Sequence, residues 1–363
     1  MSKLLYLVCL TFLCTSVRAS PEPVERAQIP NARVGDDTAC SIALIKAAHP
    51  FPADSFTLRT SLDTVPYGFA FDQDTILLDV TIFPPVDELS VELFRAGKSF
   101  GSYGFWVDAP SANVHLSVRD GQTRVDSVTL SGVDTWYWEQ MKELSGEKRL
   151  TVLADRLAEL ADLTGDNLMS LTFADGLISL PNVTSGHIYG LREGLLPNVP
   201  FLLKRHPRYT RLKERIALNG RRVGNFDRLG FISPAGKPLR LKLPEKPNFY
   251  VLNLYTSDNA RAVKDHQAIR DTPFLDSLFT QVAPMISISN DPSPALWRLY
   301  VRDNNFKWPH YVEASQEVTT LSGNIPFQER PVYLLMNHRH RVVGVYFKLT
   351  SVVNTVRWKE RGN

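Results

Sequence analysis

Between Leu58 and Leu130 hydrophobic and polar residues alternate. Thr75-Ile76-Leu77-Leu78-Asp79-Val80-Thr81-Ile82, Leu89-Ser90-Val91-Glu92-Leu93-Phe94, Val114-His115-Leu116-Ser117-Val118 and Val125-Asp126-Ser127-Val128-Thr129-Leu130 repeat apolar side chains every second residue. That period sends successive side chains to opposite faces of an extended chain, so each run predicts a strand with one buried and one wet face. The breaks, Pro84-Pro85, Ala96-Gly97-Lys98 and Arg119-Asp120-Gly121, are turn chemistry, so an antiparallel sheet is expected. Trp106, Trp136, Tyr137 and Trp138 are the conspicuous aromatics of this half. A ligand platform is one reading, and core packing in a β-rich domain is the preferred one. Upstream, the Pro- and Ala-rich residues 20–57 read as a lead-in, with Ala39 to Ala48 a short helix stopped by His49-Pro50.

The period then lengthens. Leu150, Leu153, Leu157, Leu160 and Leu163 recur at three and four, predicting a helix that Thr164-Gly165 ends and whose stripe packs on the preceding sheet. Lys204 to Arg222 holds eight Lys and Arg residues against Glu214 alone, yet Tyr209, Leu212 and Ile216 keep helical spacing. An amphipathic helix with a solvated basic face is therefore expected. Pro234, Gly236, Pro238, Pro244 and Pro247 follow, and the domain boundary is placed near 222–230. Beyond it come a strand at Phe249–Leu254, a helix at Ala260–Val282 broken at Thr272-Pro273 and a strand at Met285–Ile288. A helix at Ala295–Arg302 carrying Leu296, Leu299 and Tyr300 follows, then strands at Val332–Met336 and Arg341–Phe347 and a helix at Ser351–Lys359. Strands alternating with helices are an α/β pattern.

The apolar run Leu4 to Val17 follows Lys3 and leads to Val17-Arg18-Ala19, so residues 1–19 are expected to be a secretory signal cleaved after Ala19. The flanks of Cys9 and Cys14 do not fit lipid attachment, and no later segment could span a bilayer. Without Lys3 and Arg18 the charges become 39 basic (41 minus 2) against 38 acidic, a net +1 that argues against bulk attraction to nucleic acid or anionic membrane. Of the three cysteines only Cys40 would remain, so an internal disulfide, a CxxC redox pair and a cysteine-rich metal site are excluded by count.

Four segments of the second half resemble the thioredoxin-like domains of the TlpA and ResA type, exported thiol-disulfide oxidoreductases of bacterial envelopes. Ser233-Pro234-Ala235-Gly236-Lys237-Pro238-Leu239-Arg240-Leu241 is similar to their opening hairpin. Phe249-Tyr250-Val251-Leu252-Asn253-Leu254-Tyr255 is similar to the strand that leads to the active-site helix. Trp297 to Trp308-Pro309-His310-Tyr311 is similar to a Trp-Pro region. Arg330-Pro331-Val332-Tyr333-Leu334-Leu335 running to Val342-Val343-Gly344-Val345-Tyr346 is similar to the hairpin that opens with a cis-proline. Residues 58–222 resemble, less closely, the β-rich domain often found ahead of such domains. The family's Trp-Cys-x-x-Cys is replaced by Leu254-Tyr255-Thr256-Ser257-Asp258-Asn259-Ala260-Arg261, without sulfur. Exchange needs an attacking thiolate and a resolving thiol, which Ser257 and Asp258 cannot supply.

Other chemistry finds little support. His338 and His340 lie between arginines without an adjacent acid, so a hairpin tip is preferred to a metal site. Asp265-His266 are helix neighbours that diverge, a poor dyad. Asn182-Val183-Thr184 fits a glycosylation acceptor, a match common by chance.

The sequence thus predicts a two-domain α+β and α/β chain: signal 1–19, lead-in 20–57, an antiparallel β-rich domain with a helical end at 58–222 and a thioredoxin-like domain at 223–363. The resemblance implies an exported, periplasmic or secreted, redox-inactive protein that binds an envelope protein or peptide. The groove would lie at Tyr255, Ser257, Asp258, Arg330 and Pro331, with a cis bond before Pro331 and Arg330 favouring an acidic group. No catalytic residue, metal, cofactor or nucleic-acid partner is expected. The rivals are an enzyme with a site between the domains and a thiol-disulfide role in trans through Cys40. Partner, ligand and oligomeric state are not legible in the sequence.

Overall fold

The computed structural model describes residues 38–46, 55–60, 69–70, 75–82, 86–108, 111–119, 122–129, 132–223, 229–241, 243–244, 248–314, 321, 325 and 330–362. They form two compact units. One runs to Thr172 and includes Asn198–His206; the other joins Phe173–Pro197 to the chain from Pro207 onward. This grouping differs from the division expected at 222/223, and the predicted signal segment lies outside the described residues.

The first unit is built on eight strands: β1 (Thr38–Lys46), β2 (Ser55–Arg59), β3 (Phe69–Ala70), β4 (Thr75–Ile82), β5 (Asp87–Arg95), β6 (Lys98–Val107), β7 (Ser111–Arg119) and β8 (Gln122–Thr129). They make two four-stranded sheets, ordered β4-β1-β7-β8 and β3-β2-β5-β6. All pairings are antiparallel except β1 with β7. Strand β5 alternates buried and half-buried residues, as its sequence period requires. Ile42, Leu78, Val114 and Leu116 of one sheet share a buried core with Phe56, Leu58, Leu89, Val91 and Phe105 of the other. Each such burial contributes about 1.5–3 kcal/mol against chain entropy. The β5–β6 hairpin turns through Ala96 and Gly97 at φ 49° and 72°, and two left-handed residues in succession match the twist of the flanking strands.

One expectation fails here. The helix expected over Ala39 to Ala48 is absent from its described residues, because Thr38–Lys46 is a strand between β4 and β7. A short apolar run has no period long enough to separate the two conformations, and pairing on both edges decides it. The described residues of the lead-in, 38–46 and 55–57, therefore already belong to the β-rich unit.

Helices α1 (Gly132–Gly146) and α2 (Leu150–Leu163) follow. On α2, Leu153, Leu157 and Leu160 are buried and Leu163 is exposed. Asp134, buried at the start of α1, accepts hydrogen bonds from the Trp106 backbone N–H of β6 (2.9 Å) and from Trp138 Nε1 (3.1 Å). Trp106 and Tyr137 are buried with centroids 5.1 Å apart, so the core reading of these aromatics holds for that pair. Helix α3 (Leu168–Ile178) runs across the division between the units.

After its Phe173–Pro197 segment the second unit continues with α4 (Pro207–Leu218), on which Tyr209, Leu212 and Ile216 are buried as their spacing predicts. Then come β9 (Phe231–Ile232), β10 (Pro238–Leu239), β11 (Phe249–Tyr255), α5 (Ala260–Asp271) and a helical continuation over Pro273–Ser277 and Leu278–Val282. The chain ends with β12 (Met285–Ser289), α6 (Pro294–Asn304), β13 (His310–Glu313), β14 (Val332–Asn337), β15 (Val342–Tyr346) and α7 (Leu349–Glu360). The seven strands form one sheet, β10-β9-β13-β12-β11-β14-β15. Strands β11, β12 and β13 are parallel, and β14 runs antiparallel to both β11 and β15. A sheet cored on both faces needs continuous apolar strands. Tyr250, Leu252 and Leu254 accordingly face one cluster with Leu334 and Met336, while Val251 faces the other with Tyr333, Leu335, Ile269 and Val352. On α6 the buried face is Trp297 and Val301, leaving Leu296 at 64% and Leu299 at 44% exposure.

Arg215 explains why α4 belongs to this unit. Its guanidinium is 4% exposed and pairs with Asp175 Oδ1 of the unit's own N-terminal segment. It also donates to Ser179 Oγ (3.1 Å) and to the Val345 carbonyl of β15 (2.9 Å). The next residues line the same outer strand: Asn219 Nδ2 donates to the Val343 carbonyl (3.2 Å), Gly220 N–H to the Val342 carbonyl (2.8 Å), and Val342 N–H to the Arg221 carbonyl (2.9 Å). An open sheet edge invites foreign strands, and this segment occupies it.

Candidate functional site

Strand β11 ends at Tyr255, Ser257 and Asp258 form a turn, and Asn259 caps α5. The Asn259 side-chain oxygen accepts from the N–H groups of Arg261 (3.1 Å) and Ala262 (3.0 Å), satisfying donors that a helix start leaves open. Its Nδ2 reaches across to the Arg330 carbonyl at 3.2 Å. The Arg330–Pro331 peptide bond is cis. On the other side of the turn both carboxylate oxygens of Asp291, in the loop after β12, accept the Ser257 N–H at 3.0 Å. Asp291 also accepts from Ser289 Oγ, and its own N–H returns to that oxygen at 2.9 Å. The turn is thus held from both flanks by side chains of its own fold.

The five residues expected to line a groove do not all meet there. Ser257 is half-buried and Asp258 exposed, beside the half-buried Arg330 and the buried Pro331. Tyr255 departs from the expectation, because it is fully buried and points into the protein. As the last residue of a doubly covered strand its ring falls on the inner side, where Trp297 Nε1 donates to its hydroxyl (2.8 Å) and His310 Nδ1 lies 2.9 Å away. The Arg330 carbonyl accepts from the Asn259 side chain. Burial lowers the pKa of the Arg330 guanidinium, and the nearby Glu313 charge opposes that shift. Arg330 therefore already has a negative neighbour, which offsets the preference for an acidic group.

Beneath the turn is a buried polar and aromatic layer. His266 Nε2 lies 2.5 Å from the Asn253 side-chain amide, and its Nδ1 lies 2.8 Å from the Tyr300 hydroxyl. Trp308 Nε1 donates to Ser287 Oγ (2.9 Å), and the His310 ring stacks on Phe306 at 4.5 Å and 17°. The two imidazoles are 5.3 Å apart, centroid to centroid. Burial pushes the His266 pKa down to about 3 and that of His310 well below the usual range, the latter helped by His266. Two neutral histidines in an apolar setting are consistent with those shifts. On the same helix Asp265 accepts from the Tyr333 hydroxyl (2.8 Å), and burial raises its carboxyl pKa against the pull of that bond and of Arg261 and Lys264. Asp265 and His266 diverge, as helix neighbours must.

The sequence reading gave no role to Asn259, Asp291 or His310, and weighed His266 only as a poor dyad with Asp265. Asn259 had a legible signal, an amide residue directly before a helical run. Asp291 had none, since its role depends on the loop after β12 folding back on β11.

Elsewhere, His338 and His340 sit at the β14–β15 turn, where His340 Nδ1 lies 3.0 Å from the Tyr250 hydroxyl. Among the described residues no cluster of metal-ligating side chains occurs. Asn182 is only 8% exposed, which disfavours the acceptor reading of Asn182-Val183-Thr184; Thr184 instead caps a short helix. Cys40 lies on β1 opposite Val80, and its side chain is outside the described part.

No protein-family model and no curated relative matches the sequence. Solved structures give distant likenesses. The thioredoxin domain of a thiol-disulfide oxidoreductase from Bacteroides vulgatus aligns with 39% of this chain and 96% of its own at 13% identity, with a TM-score of 0.33. A thiol-disulfide oxidoreductase from Bacteroides fragilis aligns with 39% of this chain and 99% of its own at 12% identity, with a TM-score of 0.32. The exposed lipoprotein thioredoxin of Streptococcus pneumoniae aligns with 36% and 97% at 13% identity, with a TM-score of 0.29. The chain has a β-rich region of mainly antiparallel sheets followed by a mixed α/β region that matches thioredoxin-like domains.

Proposed function

We propose that this is an exported, redox-inactive thioredoxin-like protein that binds a segment of an envelope protein or peptide at the Thr256–Asn259 turn and the Arg330–Pro331 loop. Redox inactivity is supported by the sequence, which has no cysteine after Cys40 and so no thiol for the second unit to use. Binding is supported by one observation above all: the turn is clamped by Asp291 on one side and tied to Arg330 by Asn259 on the other, with Asp258 exposed at its tip. A surface fixed before its partner arrives loses little freedom on association. The exposed charge of the turn is that of Asp258, so a basic or donor-rich segment suits it better than an acidic one.

The test is selection from a displayed peptide library on the exported protein. Basic or donor-rich peptides should be enriched, and Asp258→Lys should abolish their binding. Peptides that bind Asp258→Lys equally well would overturn the reading.

A further inference from the structure

The pole of the second unit opposite that turn is a concentrated positive surface. Strand β11 has the turn at its Tyr255 end, while at its other end Phe249 pairs with Asn337, where the β14–β15 turn begins. Seven residues of strand separate the two poles by about 20 Å. At the far pole Arg222 and Arg341 are directly bridged on antiparallel segments, so their side chains leave the same face. Like charges placed opposite each other are unfavourable and would ordinarily be relieved by an acid. Here Asn219 to Val223 and Asn337 to Lys348 contain no carboxylate, and among the described residues Arg221, Arg222 and Arg339 make no ion pair.

The arginines are also fixed in place. Asn337 Oδ1 accepts the N–H groups of Arg339 and Arg341, both at 3.0 Å, and Arg341 Nη1 donates to the Gly220 carbonyl at 2.8 Å. The His338 N–H is held by the Asn248 carbonyl (3.0 Å). Lys359 at the end of α7 lies over the Phe249 and Trp358 rings, adding an ammonium, an apolar ring and an amphipathic indole to the same pole. The whole chain is nearly charge-balanced, with 41 basic and 38 acidic residues, so this is a local concentration that net charge conceals.

We propose that this arginine-bearing pole docks on the phosphate groups of an anionic phospholipid surface. Guanidinium groups match phosphate oxygens through paired hydrogen bonds. A tight-turn tip is convex and offers no groove to a protein chain, whereas it can approach a flat array of headgroups, with an amphipathic indole at the boundary. Docking through this pole leaves the Ser257–Asp258 turn facing away from the membrane. The inference stands independently of peptide binding there.

The test is flotation of the full chain with vesicles of phosphatidylglycerol and phosphatidylcholine, against vesicles of phosphatidylcholine alone. Binding should require phosphatidylglycerol and fall steeply as salt rises from about 50 to about 500 mM. The triple variant Arg221→Gln, Arg222→Gln, Arg339→Gln should lose on the order of a hundredfold in partition, at about fivefold per charge. Its melting midpoint should be unchanged, because all three side chains are exposed. Equal flotation on both vesicles, as the apolar Leu4 to Val17 run alone would give, or retention of phosphatidylglycerol binding by the triple variant, would overturn the proposal. So would capture by immobilised polyglutamate without any vesicle binding, which would reassign the pole to an acidic protein.

Discussion

Asn259 donates its side-chain amide to the carbonyl of Arg330 at 3.2 Å, joining the cap of α5 to the residue that precedes the cis-proline. The same side chain caps α5 through its oxygen. Two substitutions separate these roles. Asn259→Asp keeps a good cap but gives up the donor, and should cost roughly 0.5–1.5 kcal/mol, the net worth of one hydrogen bond. Asn259→Ala loses both and should cost about 1 kcal/mol more. Denaturant midpoints at constant slope would show the ordering, and equal losses would mean that the tie contributes nothing.

The buried histidines predict acid sensitivity. Both have folded pKa values below the unfolded value near 6.5, so the unfolded chain takes up protons first. Their stability contribution is complete above about pH 6.5 and declines as pH falls toward the folded values. Between pH 7 and pH 5 the loss should be about 2 kcal/mol for His266, and His310 adds a loss of the same sign. Asp265, with a raised folded pKa, has the opposite sign: its contribution is present at low pH and lost as pH rises. His310→Phe, which preserves an aromatic beside Phe306, should make the pH dependence shallower. An unfolding free energy indifferent to pH across this range would show that the imidazoles are not held neutral.

Arg215 should be the most sensitive basic residue outside the candidate site. Arg215→Ala strands the Val345 carbonyl and removes the partner of Asp175, and should destabilise the protein by about 3–5 kcal/mol. Arg215→Lys should recover little, because one ammonium cannot reproduce a planar fork reaching Asp175, Ser179 and Val345 together. Thermal unfolding of both variants would check this, and a near-neutral Arg215→Lys would contradict it.

Much of the fold was legible because it repeats a period. Strand β5 alternates and α4 buries Tyr209, Leu212 and Ile216, both as their spacing requires. Strand β1 was not, since nine residues with apolar positions scattered on both registers fit either conformation until β4 and β7 pair with them. Helix α6 shows a related limit. The sequence singled out Leu296, Leu299 and Tyr300 on it, yet Trp297 and Val301 are its buried residues, and the Trp297 indole donates to Tyr255. At the candidate site, Ser257, Asp258 and Pro331 were singled out through the likeness of short segments. Tyr255 was placed on the wrong side because the direction of a strand's last residue depends on what covers the sheet. The clamp by Asp291 joins residues 34 positions apart, which no local pattern encodes.

Thiol chemistry gives a separate check. With Cys40 the only thiol expected after signal cleavage, the protein should fail to accelerate insulin reduction by dithiothreitol, and Cys40→Ser should behave identically. Turnover that disappears in Cys40→Ser would favour a redox role in trans.

The central claim, that the Thr256–Asn259 turn is a binding surface, is tested most directly by a photo-crosslinking residue at position 258 in protein produced in its native host. A discrete envelope-protein adduct is predicted, absent when the crosslinker is at the exposed Gln267 of α5 and diminished when Asp291→Ala releases the turn. Adducts of equal yield from positions 258 and 267, or none from 258, would contradict it.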